Sequence, residues 1–225
     1  MIRSITRQKP KEQIWKSLEG IERVFIVGCG TCVTLCRTGG IQEVEEMAKA
    51  LTDGGKIVTG KTVIPVACDE LTFEALSEMA DPLSKAQAVL VMTCAFGLQT
   101  MATHLEVPAI AALDTLFIGK EMGLGRFQEV CTQCGDCILS ETGGICPVTS
   151  CHKGLVNGPC GGTRDGKCEI DPEKDCAWTL IYERLKAQGR LERMRTLQPP
   201  RNHQVSPRPG LAVIPLEEGG EGHGL

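Results

Sequence analysis

The chain has 225 residues, of which 23% are charged and 42% hydrophobic, a balance typical of a globular protein. A formal net charge of −4 and an aromatic content of 4% give no basic surface and few stacking side chains, so nucleic acid is not an expected partner. Residues 1–10 lack the apolar stretch of a signal peptide, and the longest nearly apolar run, 88–98, is too short for a membrane span. A chain of this size does not need disulfides to stabilise a core. We therefore expect a cytoplasmic protein whose 13 cysteines stay reduced and serve metal or redox chemistry.

The first part of the chain, residues 1–125, has the pattern of an α/β domain. Short apolar runs rich in β-branched residues predict four strands, at 23–29, 62–68, 88–94 and 108–113. Helical patterns are predicted at 10–19 before Gly20, at 41–51, at 71–80 before Asp81-Pro82, and at 97–105. The helix at 41–51 would place on one face Ile41, Val44, Met47, Ala48 and Leu51. Strands that alternate with helices favour a mostly parallel sheet of the Rossmann or flavodoxin-like kind.

The second part, residues 126–198, is predicted to be a loop-rich module that ends in a helix. It has few large apolar residues outside 177–194, so a bound metal would supply much of its stability. In the helix predicted at 177–194, the inward positions are Trp178, Ile181, Leu185 and Leu191, and Pro199-Pro200 would end it. The Pro- and Gly-rich remainder, 199–225, is predicted to be a flexible tail.

Five cysteines belong to the first domain. Cys29, Cys68 and Cys94 each end a predicted strand, and Cys32 and Cys36 follow Cys29 in the first loop. Because ligands of open α/β sheets bind beyond the carboxyl ends of the strands, these thiols could converge on one site. Four of the five would hold one [4Fe–4S] cluster, with Cys32 or Cys36 completing the strand-end set. Zinc, or inert core thiols, are the alternatives.

Eight cysteines crowd the second module, and three of them have the spacing C-x2-C-x2-C of a bacterial ferredoxin. The eight are Cys131, Cys134, Cys137, Cys146, Cys151, Cys160, Cys168 and Cys176. Cys146 precedes Pro147, as the last cysteine of the ferredoxin pattern does, but after eight residues instead of three. Eight thiolates would suffice for two clusters, so the whole chain would carry two or three. The alternative is zinc at one site, since four thiolates also form a tetrahedral structural zinc site.

Other motifs are less informative. Gly28-Cys29-Gly30 follows a strand, but Val33 replaces the third glycine of the dinucleotide-binding motif. Glu43, Glu45 and Glu46 are interpreted as an exposed helix face, and His152 as a solvated neighbour of Cys151. We find no flavin or nicotinamide motif and no catalytic acid–base set.

Together, several of these segments resemble the small iron–sulfur (MetV-type) subunit of bacterial methylenetetrahydrofolate reductase, which is also its C-terminal domain in fused forms. The resemblance runs from about Val24 to Pro200 and rests on VGCGTCVTLCRTGG, VIPVACDE, VMTCAFGLQT, CTQCGDC, GICPVTSCHKGLVNGPCGG and LIYERLKAQGRLERM. The tail after Pro200 lies outside it.

The resemblance implies an electron-transfer role in an oxidoreductase complex, with no catalytic activity of the chain alone. A separate flavin-binding subunit would reduce 5,10-methylenetetrahydrofolate to 5-methyltetrahydrofolate, in the Wood–Ljungdahl pathway of acetogens, and this chain would relay electrons to that flavin. The donor would be ferredoxin, or a heterodisulfide-reductase or NADH-linked subunit. Two alternatives remain open, a zinc-binding catalytic or methyl-transfer subunit and a scaffold that only stabilises the flavin subunit.

Overall fold

The computed structural model describes residues 2–200, 202–206 and 208–211. The chain divides into two compact units, Met1–Glu129 and Val130–Leu225. Throughout the described residues, no helix is long and apolar enough to cross a membrane.

A four-stranded parallel sheet forms the centre of the first unit. Its strands, in chain order, are β2 Arg23–Cys29, β3 Ile57–Ile64, β4 Ala88–Met92 and β5 Ala109–Ala111. Their order across the sheet is β3-β2-β4-β5, and all neighbours are parallel. This is the order of the first four strands in one common doubly wound arrangement. The prediction of an α/β domain with a parallel sheet is confirmed.

The two central strands explain why the core lies here. β2 is buried at every position except Arg23, and β4 is buried throughout. Such continuous burial requires apolar runs without polar alternation, which is what both sequences provide. Helices pack against the sheet and bury residues at helical spacing; in the longest, they are Val44, Met47, Ala48 and Leu51.

The four predicted helical segments of the first unit are present with shifted ends, the third is divided into two helices, and the short helix at Cys32–Leu35 was not predicted. The helices are α1 Lys11–Ser17, α2 Cys32–Leu35, α3 Ile41–Asp53, α4 Thr72–Glu78, α5 Ala80–Ser84 and α6 Ala95–Ala102. Asp81-Pro82 was predicted to end the helical region, but the chain continues into α5. Pro82 is the third residue of α5, and backbone N–H groups in the first turn of a helix make no hydrogen bond within the helix, so proline is tolerated there. Ile41, predicted on the buried face of α3, is 70% exposed at the start of that helix.

The strand predicted at 62–68 lies earlier in the chain. β3 ends at Ile64, directly before Pro65, which has no N–H for a sheet ladder. Cys68 therefore lies in a turn four residues beyond the strand and does not end it. Cys29 does end β2, and Cys94 follows β4 by two residues.

A second, antiparallel sheet was not predicted. It consists of β1 Ile2–Gln8, β6 Leu113–Gly123 and β7 Arg126–Gln128, in the order β1-β6-β7. The buried positions of β1 include Ser4 and Thr6, and the Thr6 hydroxyl lies 2.7 Å from that of Thr38. Because polar side chains occupy these buried positions, β1 lacks the apolar alternation that identifies a strand. β7 extends the first unit beyond residue 125.

The second unit has little regular structure besides α7 Pro147–Ser150 and α8 Ala177–Ala187. Trp178, Ile181 and Leu185 form its buried apolar cluster, as predicted. The helix ends earlier than predicted, because Gly189 has a φ of +66° and a short 3-10 helix follows at Leu191–Arg195. Leu191 is 37% exposed. Of the predicted tail, residues 201, 207 and 212–225 lie outside the described residues, and His203–Val205 form a 3-10 turn.

Candidate metal centres

Four thiols of the first unit lie near the topological switch point of the parallel sheet, where β3 is added on one side of β2 and β4 on the other. Cys29 is the last residue of β2, Cys94 precedes α6, and Cys32 begins α2. The fourth is Cys68, in the turn that follows β3. We call these four residues the switch-point thiols, because the crevice between strands on either side of such a switch point is the usual ligand site of an open α/β sheet.

The electrostatics of Cys68 show that the switch-point thiols are neighbours. Partial burial of its sulfur, followed by the nearby thiols of Cys94, Cys29 and Cys32, raises the pKa of the Cys68 thiol. Each neighbouring thiolate disfavours a further negative charge. Cys36, the fifth cysteine of this unit, is placed differently, with its Sγ 3.9 Å from the carbonyl oxygen of Ser4 in β1.

Backbone contacts hold the loops that carry these thiols together. The Gly30 N–H donates to the Ile64 carbonyl at 2.8 Å, and a Cβ at Gly30 would lie 3.1 Å from the Pro65 carbonyl oxygen. The Ala67 N–H donates to Cys29 Sγ at 3.4 Å. The loop after β2 thus packs directly on the turn after β3, which brings Cys29 and Cys68 close together.

Gly39 fixes the other side of the same loop. A Cβ there would lie 1.9 Å from the Met92 carbonyl oxygen at the end of β4, a separation that no real side chain tolerates. The Cys29 N–H donates to the Gly39 carbonyl at 3.1 Å. The glycine therefore permits a close approach between the first loop and β4, which precedes Cys94.

The switch-point thiols are graded in exposure. Cys29 and Cys94 are 6% and 7% exposed, Cys32 is half-buried, and Cys68 is exposed. The site is therefore anchored in the core at two thiols and opens to the surface at Cys68.

Glu43 has a role that the sequence interpretation missed. Its carboxylate accepts a hydrogen bond of 2.9 Å from the Gly40 N–H at the start of α3, so it is a helix cap and not part of an exposed acidic face. A Glu or Gln three residues after the N-cap position is the sequence signal for such a cap. Glu45 and Glu46 are exposed, as predicted.

In the second unit, four thiols line one cavity together with Trp178 and Ile170. These residues, which we call the cavity thiols, are Cys151, Cys160, Cys168 and Cys176. Cys151 follows α7 and Cys176 precedes α8. Backbone hydrogen bonds from Cys168 to the Lys174 carbonyl and from Cys176 to the Gly166 carbonyl, 2.9 and 2.7 Å long, close the loop between them.

Cys176 is poised to ionise more readily than an ordinary cysteine. Burial disfavours its thiolate, but hydrogen bonds to Thr179 and Trp178 in the first turn of α8, and to Thr163, outweigh burial and lower the pKa of Cys176. A thiolate is the form that binds metal.

A charged pair lies beside the cavity thiols. Lys153 forms an ion pair with Glu169, and Cys160 Sγ lies 3.4 Å from a Glu169 oxygen. Glu169, followed by Cys160 and Cys151, raises the pKa of Lys153 and keeps its ammonium charged. Sequence reasoning did not identify this pair, because 15 residues separate its members.

The remaining cysteines of the second unit lie outside that cavity lining. Cys131 and Cys137 are exposed and Cys134 is half-buried, in a loop where Gln133 and Gly135 have positive φ. The fourth is Cys146, whose Sγ lies 3.6 Å from the Thr149 hydroxyl. His152, interpreted as a solvated neighbour, lies 3.8 Å from the Asp171 carboxylate.

None of the thirteen cysteines, all of which lie within the described residues, forms a disulfide bond. Within the described ranges, no group of three or more His, Cys, Asp or Glu side chains is arranged to hold a single metal ion. An iron–sulfur cluster binds each thiolate through a different iron atom, so its ligand sulfurs stand farther apart than those around one ion. Two groups of four thiols have the donor chemistry that iron–sulfur clusters and structural zinc sites share.

One comparison with known proteins gives a match. Residues 110–204 match the family model described as methylene-tetrahydrofolate reductase C terminal. The matched region begins in β5 and takes in most of the second unit, somewhat less than half of the chain. This part of the chain is therefore similar to the C-terminal region of methylenetetrahydrofolate reductases. No curated protein and no solved structure matches the chain.

Proposed function

We propose that the chain is the electron-transfer subunit of a methylenetetrahydrofolate reductase complex. In this proposal a flavin-binding partner subunit reduces 5,10-methylenetetrahydrofolate to 5-methyltetrahydrofolate, and this chain supplies the electrons. The family match supports a component of a reductase complex. The observation that carries the electron-transfer role is the grouping of free thiols, four at the sheet edge and four around one cavity.

We assign one [4Fe–4S] cluster to the switch-point thiols. Such clusters exchange single electrons when bound. Cys29 and Cys94 would hold the cluster against the core, and the half-buried Cys32 would hold its side. Cys68 would hold the solvent-facing corner, where an electron partner can approach. Cys36 would not be a ligand, since its sulfur is directed to the Ser4 carbonyl on β1.

The second unit would hold two further clusters in a ferredoxin-like module. One would be bound by the cavity thiols. The other would be bound by the remaining four cysteines, Cys131, Cys134, Cys137 and Cys146, in which the C-x2-C-x2-C spacing supports the assignment.

Iron and sulfide analysis tests the cluster proposal directly. The anaerobically purified chain should contain iron and acid-labile sulfide in nearly equal amounts and give an EPR signal on reduction. Iron and sulfide near zero, with zinc in their place, would contradict electron transfer through clusters.

Two cysteine variants of the first unit form a matched pair. Cys68→Ala should lower the iron and sulfide content by the equivalent of one cluster and remove one component of the EPR spectrum. Cys36→Ala should leave both unchanged, because Cys36 lies apart from the set. Cys134→Ala should remove a different component. Equal losses in Cys68→Ala and Cys36→Ala would refute the ligand assignment.

A further inference from the structure

The segment that carries Cys68 has an unusual surface. Residues 66–78 contain four acidic residues and no basic residue. Interspersed with the acids are large apolar side chains that face solvent: Val66 is 41% exposed, Leu71 65% and Phe73 54%. We call the surface formed by Val66, Asp69, Glu70, Leu71, Phe73 and Glu74 the acidic–apolar face.

The carboxylates of this face are not neutralised within the unit. Among the described residues, none of Asp69, Glu70 and Glu74 takes part in an ion pair. The lysines nearest in sequence are used elsewhere, since Lys61 pairs with Glu45 and Lys85 with Asp81. The face therefore keeps a net negative charge around its apolar side chains.

The apolar side chains are held in place. The Phe73 ring packs on the His104 ring with centroids 5.2 Å apart, which fixes α4 against the segment that follows α6. At the start of α6, Phe96 is 53% exposed, two residues after Cys94. Exposed apolar side chains of this size, grouped and rimmed by charge, are typical of protein interaction sites.

We propose that the acidic–apolar face is the docking surface for the flavin-binding subunit, which would present an apolar centre ringed by lysine or arginine. This inference rests on the proposed function. Charge complementarity specifies the chemistry of the partner surface, because a basic rim would pair with Asp69, Glu70 and Glu74, whereas an acidic partner would be repelled. The face includes the turn of Cys68, the exposed member of the switch-point thiols, so docking here would bring the flavin subunit to the open side of the site.

The test measures binding of the separately purified flavin-binding subunit to the full chain. Phe73→Ser and the double variant Glu70→Lys/Glu74→Lys should each raise the Kd about tenfold or more, because central aromatic residues and complementary charges dominate such interfaces. Added salt should weaken binding of the unaltered chain more than that of the double variant.

Matched controls exist on other surfaces of the same unit. Leu124→Ser changes an apolar residue that is 99% exposed in the turn between β6 and β7, and Glu19→Lys reverses an exposed charge just before β2. Both should leave the Kd within about twofold of the unaltered value, as distant surface substitutions do. Unchanged binding of the face variants, or equal weakening by the controls, would overturn the proposal. The proposal would also be overturned if the chain associates with itself through this face, so that the face variants make it monomeric but leave its binding to the flavin-binding subunit unchanged.

Cluster content separates the two proposals. Every face variant should keep the iron, sulfide and EPR signal of the unaltered chain. If the chain lacks clusters but still binds through this face, the electron-transfer proposal fails and the docking proposal stands. If clusters are present and the face variants bind normally, only the docking proposal fails.

Discussion

The first unit buries a continuous apolar core around β2 and β4 and places its thiols at the edge of that core. Among the described residues of the second unit, the buried apolar cluster is small: it consists of Trp178, Ile181 and Leu185, and Cys151 and Cys176 pack against it. A core of that size contributes little against the conformational entropy of ordering long loops. The first unit can therefore fold before its thiols bind anything, whereas the second should depend on what its thiols bind.

The largest expected effect is that of metal removal. Stripping the chain with a chelator should abolish amide-exchange protection through most of 130–200, while the amides of β2 and β4 stay protected. Hydrogen exchange measured by mass spectrometry, before and after stripping, resolves the two units. Equal loss of protection in both units would show that the first unit depends on what its thiols bind as much as the second does.

The next effect concerns the apolar core. Leu90→Ala should destabilise the first unit by about 2–5 kcal/mol, because Leu90 is fully buried in β4 and its removal leaves a cavity. Leu124→Ala, at a residue 99% exposed, should change stability by less than about 0.5 kcal/mol. Both changes in the free energy of unfolding can be measured by denaturant unfolding in which hydrogen exchange of the β2 amides reports the unfolding of the first unit. A Leu90→Ala effect no larger than that of Leu124→Ala would show that the core does not stabilise this unit as described.

A smaller effect is expected where the first loop meets β4. Gly39→Ala should cost about 1–3 kcal/mol and disturb the switch-point thiols, because the added carbon would collide with the Met92 carbonyl. Gly123→Ala, where no atom lies within 4 Å of the added carbon, should be well tolerated. Thermal unfolding measures the loss of stability. The disturbance of the switch-point thiols is measured by the same EPR component that Cys68→Ala should remove. The interpretation fails if both glycine variants behave alike.

The smallest effect is electrostatic. Hydrogen bonding from Lys9, with Arg7 nearby, lowers the pKa of Asp114 in the antiparallel sheet. Because the folded-state pKa is the lower one, the pair stabilises the unit above about pH 4 and that contribution is lost as the pH falls through the lowered pKa. Asp114→Asn should reduce the melting temperature slightly at pH 7 and by less at pH 2. Since the pair is partly exposed, the effect should stay below about 1 kcal/mol. If the melting temperature falls equally at both pH values, Asp114 stabilises the unit through packing and not through its charge.

Sequence reasoning was most successful where burial is continuous. β2 and β4 are apolar at nearly every position, so their existence and approximate ends could be predicted. β1 could not, since its buried Ser4 and Thr6 are polar and its pairing partner β6 begins more than 100 residues later. The end of β3 was placed too late because the apolar residues continue past Pro65, where the ladder stops.

The amino-acid sequence alone was enough to predict the parallel α/β character of the first unit and the loop-rich character of the second, and it shows where along the chain the thiols occur. Those properties follow from local composition and periodicity. Which thiols are neighbours depends on long-range packing. Cys32 lies with Cys29, Cys68 and Cys94, whereas Cys36 is directed to β1. Cys151 shares a cavity with Cys176. Cys32 and Cys36 lie one helical turn apart and are equivalent in the sequence. The distinction comes from packing of α2 between two sheets, a non-local contact that no local pattern contains.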